Sequence, residues 1–125
     1  MLIKHLEAAF TDERGIITDI LQHTPVDSVT VITCVRGAVR GNHYHQESVQ
    51  YCYVLSGRVR AFAQQPAQEV EVCYLTAGDL LTTPPMERHA FEALDDSVLL
   101  VVTRGPRGGE SYEDDTIRVS PLHSS

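Results

Sequence analysis

Nowhere in this chain does a helical apolar period persist for three turns. Instead, short β-branched runs bounded by turn-forming residues recur about every eight to twelve positions. That pattern restricts a chain of 125 residues to an all-β sandwich or barrel. Residues 29–35 are the purest of these runs, with Cys34 inside it, and Gly37 interrupts it. An extended segment resumes over 39–45, a central strand is expected over 50–55, and Ser56-Gly57 reads as a hairpin turn into 58–64. Further strands are expected over 2–10, 16–21, 69–75, 80–83, 89–94, 97–103 and 116–119. The 97–103 run is apolar on both faces, as an inner strand would be.

Composition narrows the function classes. The net charge of −7 argues against a nucleic-acid polymer as partner, because phosphate binding wants a basic stripe and none is visible. No apolar run is long enough to cross a bilayer, and Met1-Leu2-Ile3-Lys4-His5 lacks the apolar stretch of a signal peptide. Cys34, Cys52 and Cys73 are odd in number and lie among apolar residues, so they read as core side chains of a reducing compartment, with the cytoplasm as the expected location.

The chemistry gathers at Gly41 to His45. Side chains alternate along a strand, so His43 and His45 share a face. His89, past Pro84 and Pro85, and Gln50, at the head of the next strand, can converge on them. If these point inward, Tyr44, Tyr51 and Tyr53 point to the other face. His43, His45 and His89 with the amide of Gln50 suit a mononuclear divalent metal such as Zn, Fe, Ni or Mn. With no carboxylate in the shell the ion keeps its full charge, binding more weakly but polarising a carbonyl more strongly. The preferred reading is therefore a metal-binding enzyme that handles a carbohydrate or keto acid through a metal-stabilised enediolate. The three-histidine set also suits Fe(II) dioxygenase chemistry. Without metal, clustered imidazoles depress one another's pKa, which poises His43 and His45 as an acid/base pair beside a keto group. A ligand-binding or sensor module without turnover is the remaining reading.

Around that centre, Arg40, Tyr53 and Arg60 are the candidate substrate contacts. Arg36, Arg40, Arg58 and Arg60 include the cations able to clamp a diphosphate, Arg58 reading as solvated strand face. Tyr51, Tyr53 and Tyr112 offer phenols, although sheet packing is the commoner use of such residues. Glu47 is an acidic candidate expected in a turn, Cys52 shares the face of Gln50, and His5, His23 and His123 read as surface residues.

Gly37, His43, His45, Gln50 and Gly57 are spaced as in the first motif of the cupin superfamily, with Gln50 where glutamate is usual. Gly78, Pro84 and His89 resemble the second motif, with Met86 for its glycine and Ala93 for its asparagine. The resemblance implies a cupin double-stranded β-helix, a jelly-roll barrel of two antiparallel sheets. In that layout residues 1–36 supply N-terminal strands, 37–104 the barrel core with both motifs, and 105–125 a C-terminal arm, all in one domain. Arg40-Gly41-x-His43-x-His45 with Gln50 five positions on resembles the signature of the dTDP-sugar 3,4-ketoisomerases. Those are small metal-free cupins whose paired histidines move protons on a keto-sugar nucleotide. Residues 98–101 and the tail from Tyr112 to Arg118 resemble the end of that family, and Arg40-Gly41-x-His43-Tyr44 is similar to the longer dTDP-4-dehydrorhamnose 3,5-epimerases. His89 departs from the ketoisomerase pattern and restores the metal-binding pattern of the wider superfamily. The resemblance further implies a nucleotide-sugar ligand and a homodimer.

Overall fold

Residues 28–34 alternate half-buried and exposed side chains until Cys34, the period-two signature of a strand with one covered face. The same alternation organises the rest of the chain. The structure, a computed structural model, describes residues 1–106 and 114–122. Its strands are β1 (Leu2–His5), β2 (Phe10–Asp12), β3 (Gly15–Ile17), β4 (Ser28–Cys34), β5 (Val39–His45), β6 (Val49–Ser56), β7 (Arg58–Gln64), β8 (Glu71–Thr76), β9 (Asp79–Thr83), β10 (Arg88–Ala93), β11 (Ser97–Arg104) and β12 (Thr116–Arg118). Two five-stranded sheets, β1-β9-β6-β11-β4 and β12-β5-β10-β7-β8, are antiparallel throughout, and among the described residues β2 pairs only with β3. The core is shared between them: Cys52, Val54, Leu81 and Leu99 from the first sheet meet Val59, Ala61, Leu75 and Ala93 from the second. Strands β1, β4 and β12 are members of these sheets, so the barrel draws on residues outside 37–104.

The expected strands over 39–45 and 58–64 coincide with β5 and β7, and most others shift by a residue or two. The N-terminal expectation needs correction. The strand expected over 2–10 ends at His5, and the one over 16–21 shrinks to β3. The cause is the turn at Asp12, whose carboxylate accepts the Arg14 backbone N–H at 2.9 Å and also binds its guanidinium. An Asp-centred turn that tight folds β2 back on β3 as a hairpin. Cys34 and Cys52 are buried and Cys73 half-buried, all three as free thiols. Among the described residues no helix is long and apolar enough to cross a membrane. The outer face of the first sheet exposes Val29 and Val31, the kind of surface on which the expectation of a homodimer rests.

One irregularity positions everything that follows. Between β5 and β10 the register runs His43 opposite His89, then Gly41 opposite Ala90, so Asn42 is an extra residue on β5. This is a β-bulge, with Asn42 at φ 58° and Gly41 at φ 99°. A Cβ at Gly41 would lie 2.8 Å from the His89 carbonyl oxygen and 3.0 Å from Ala90 Cα, both backbone atoms that cannot swing aside. Only glycine lets the strands close here. Gly41→Ala is therefore expected to lower unfolding stability by about 2 kcal/mol or more, from left-handed strain plus the enforced separation. Urea unfolding measures it, and a loss under about 0.5 kcal/mol would contradict the close approach.

Candidate active site

The bulge reverses the parity of β5. Beyond it His43 and His45 face the interior, as alternation from the motif predicts. Before it, Arg40 pairs with Phe91 and joins the same interior, where strict alternation from His43 would have turned it outward. Opposite them β10 brings His89, and β6 brings Gln50 between Thr83 and Thr103. The result is a pocket of about 580 Å³, part of it open to solvent. Arg40, His43, Gln50 and His89, with Thr30 and Thr83, give it polar groups, and Ile32, Cys52, Phe91, Leu99 and Val101 supply apolar wall.

The three imidazoles form one cluster. Ring centroids lie 4.8 Å apart for His43 and His45, 4.7 Å for His43 and His89, and 5.3 Å for His45 and His89. His45 and His89 are 2% and 3% exposed. His89 Nδ1 lies 3.2 Å from the Glu87 carbonyl; a carbonyl only accepts, so Nδ1 carries the hydrogen and Nε2 is left as the basic nitrogen. Gln50 donates its amide N–H to the Thr103 hydroxyl at 3.4 Å. The Arg40 guanidinium donates to the Thr33 carbonyl at 3.1 Å.

Other expected contacts lie elsewhere. Tyr53 sits on the outer face of the first sheet, in register with Leu80 and Leu100. Arg60 faces outward from β7, ion-paired with Glu92 and 5.4 Å from the Phe62 ring. Neither reaches the pocket of its own chain. Arg58 pairs with Asp95 in solvent, and Arg36 is likewise exposed. Glu47 lies in the exposed connection after β5, apart from the histidines. His5 and His23 are exposed, and Tyr112 and His123 lie outside the described residues.

The residues that motif reading missed come from the C-terminal arm. Strand β12 pairs with β5 so that Thr116 lies opposite His45 and Arg118 opposite His43. Asp115, 4% exposed, stands with Ser48 behind His45. The alternation of polar and apolar residues from Thr116 to Val119 signals a strand but not its partner, and only pairing reveals that these side chains back the site.

The family described as polysaccharide biosynthesis C-terminal domain matches residues 10–116. The chain belongs to that family. Among solved structures, a sugar 3,4-ketoisomerase from Thermoanaerobacterium thermosaccharolyticum in complex with TDP superposes with a TM-score of 0.78 at 22% identity, over 94% of this chain and 86% of that one. A TDP-fucose-3,4-ketoisomerase from Campylobacter jejuni gives 0.78 at 15% identity, over 93% and 87%. A double mutant of a 3′-monoepimerase from Streptomyces bikiniensis, in complex with dTDP, gives 0.82 at 18%, over 96% and 69%. At such identities the likeness is one of fold, and it places the chain among cupin jelly rolls. A sequence comparison with the curated proteins gives no match.

In this member of the family His43 and His89 are electrically neutral near pH 7. Burial, then the neighbouring His45 and Arg118, hold His43 at a pKa of about 4. Burial, then His43 and His45, hold His89 at about 3. Neutral imidazoles are the form that ligates metal, and three of them meet the donor chemistry of a mononuclear site. Their ligand atoms lie within 4.8 Å of one another, against roughly 3.0–3.4 Å between nitrogens sharing one ion at bonds of about 2.1 Å.

Lowered histidine pKa values carry a sign for stability. The native state binds fewer protons than the unfolded chain below about pH 6.5, so the stabilisation is complete above that pH and is lost as pH falls toward the folded values. His89 alone contributes a slope of up to about 1.4 kcal/mol per pH unit in that window. Urea unfolding of EDTA-treated protein between pH 7 and 5 is expected to show this slope, and His89→Gln to flatten it. Equal slopes in both proteins would contradict the burial of a neutral His89.

Proposed function

We propose that the chain is a nucleotide-sugar isomerase of the 3,4-keto type, with His43 and His45 moving the proton and His89 completing the cluster. The observation that carries the reading is the histidine cluster, of which His43 and His89 line a mostly apolar pocket with His45 buried behind them, and Arg40 facing the same interior. Solved neighbours of this fold hold TDP or, in a mutant ketoisomerase from Thermoanaerobacterium thermosaccharolyticum, TDP-4-keto-6-deoxyglucose. The chemistry asks little else of the protein. A neutral imidazole removes the hydrogen on C3 of a 4-keto sugar, and the electron pair flows to the C4 oxygen as an enediolate. A proton then reaches C4 while the C3 hydroxyl gives up its own, leaving the ketone at C3. Carbon C3 is oxidised and C4 reduced within one molecule, so no external oxidant enters. Neutral neighbours suit this, because His43 and His89 can accept or donate hydrogen bonds at the oxygens without trapping the enediolate as a salt. The apolar side chains Ile32, Phe91, Leu99 and Val101 lower the polarity around the intermediate.

A second reading follows from the same cluster. His43, His45 and His89 would hold a divalent ion, with Gln50 on the same wall, and such an ion supplies Lewis acidity toward a bound carbonyl. Elemental analysis of untagged protein separates the two readings without reference to activity. Near-stoichiometric metal that vanishes in a His43→Ala/His89→Ala double variant would establish the ion.

Incubation with TDP-4-keto-6-deoxyglucose in deuterated water, followed by proton NMR, tests the reaction. The expected result is a 3-keto product carrying one solvent deuteron at C4. His43→Asn and His45→Asn are each expected to slow it by about 100-fold or more. Binding of the sugar nucleotide without exchange would make this a binding protein instead, and no binding at all would remove the substrate class.

A further inference from the structure

The two ring nitrogens of His45 meet different surroundings. Nδ1 lies 3.2 Å from Thr116 Oγ1 and 3.7 Å from Asp115 Oδ2, both on the C-terminal arm. The rings of His43 and His89 lie 4.8 and 5.3 Å from that of His45, centroid to centroid. Asp115 is not there by default. Its Oδ1 accepts the Glu47 backbone N–H at 2.6 Å, and its Oδ2 accepts the Ser48 hydroxyl at 2.6 Å, Ser48 being 1% exposed. The Gln46 backbone N–H donates to the Asp115 carbonyl at 2.9 Å, and the Gln46 side chain to the Asp114 carbonyl at 3.1 Å. The chain just after β5 thus grips the arm through three consecutive residues, Gln46, Glu47 and Ser48. That grip fixes a buried carboxylate at one nitrogen of one histidine.

We propose that Asp115 and Thr116 are positioning residues that hold His45 with its hydrogen on Nδ1, so that Nε2 is the proton-accepting atom of the site. A carboxylate beside Nδ1 favours the hydrogen at that nitrogen, and the Thr116 oxygen can accept it in a hydrogen bond. When Nε2 takes a proton from carbon, the ring becomes an imidazolium, and Asp115 at 3.7 Å is the charge that stabilises it. His89 is oriented differently, through a neutral backbone carbonyl, so it lacks this support. The three imidazoles are therefore not equivalent: one is backed by a carboxylate from the C-terminal arm, just before β12. The catalytic consequence rests on the isomerase reading; the tautomer does not.

Two measurements keep those apart. Nitrogen-15 NMR of the imidazoles, with His45 assigned by its loss in His45→Gln, reads the tautomer of the neutral ring in ligand-free protein. The hydrogen is expected on Nδ1 in the wild type and redistributed toward Nε2 in Asp115→Asn and Thr116→Val, while Thr116→Ser retains the wild-type signal. Ser48→Ala, which frees the carboxylate without touching the ring, serves if Asp115→Asn fails to fold, and is expected to shift the signal part of the way. A wild-type hydrogen on Nε2, or a tautomer unchanged by all these variants, overturns the proposal. On turnover of TDP-4-keto-6-deoxyglucose, Asp115→Asn is expected to lower kcat by about 10- to 100-fold with KM within about twofold, and Thr116→Ser to keep the wild-type rate. A rise in KM with kcat unchanged would overturn the role in proton transfer. Absence of turnover in the wild type would sink the isomerase reading and leave the tautomer result standing.

Discussion

The close approach of β5 to β10 at Gly41 is the contact on which the site depends. An extra residue in one strand of an antiparallel pair changes which side chains face inward on either side of it. Here that change lets two residues three apart, Arg40 and His43, enter the same interior. A regular β5 would have sent one of them to solvent. The bulge also sets His43 directly opposite His89, and the glycine that permits it stands two residues before the first histidine. The motif is therefore a piece of backbone geometry as much as a set of ligands. Its glycine allows the approach, its left-handed asparagine absorbs the surplus residue, and its histidines receive the result.

The neutrality of His43 and His89 has a structural origin of its own. Three imidazoles packed within about five ångströms of one another, two of them almost without solvent, cannot all carry charge. The residue that could have relieved this, a glutamate at the usual ligand position, is Gln50. Its amide brings no charge and is engaged with Thr103. Arg118, which pairs opposite His43, adds a cation that pushes in the same direction.

Much of this was legible in the residues. The period-two runs and glycine-broken spacing prescribe an antiparallel barrel, and parity alone puts His43 and His45 on one face. What was not legible has physical reasons. Parity fails across a bulge, so counting from His43 misplaces Arg40, and a bulge shows in sequence only as an ordinary Gly-Asn pair. Tyr53 and Arg60 were attractive for their chemistry, yet each follows the alternation of its own strand outward, and Arg60 finds Glu92 across the register. At the N-terminus, local chemistry at Asp12 outweighed the apolar run of residues 2–10, because a side-chain-capped turn needs only three residues to form while a long strand needs a partner along its whole length.

The C-terminal arm shows the limit most clearly. The tail from Tyr112 to Arg118 resembles the end of the ketoisomerases, but that resemblance assigns no role to Asp115 or Thr116, and a short edge strand is the weakest pattern a sequence can carry. Yet an edge is where a small barrel has room to add a wall. The inner strands of each sheet are committed on both sides to pairing, whereas β5 has a free edge until β12 arrives. Whatever pairs there must lie beside His43 and His45, since those residues are on the edge-facing strand itself. Placing the histidines on β5 rather than on a central strand thus leaves one flank of each ring to be furnished by another part of the chain. In this protein Thr116 and Arg118 occupy that flank in register, and the buried Asp115 follows from the turn that delivers them. The position of the motif in the sheet explains why residues some seventy positions away complete its environment.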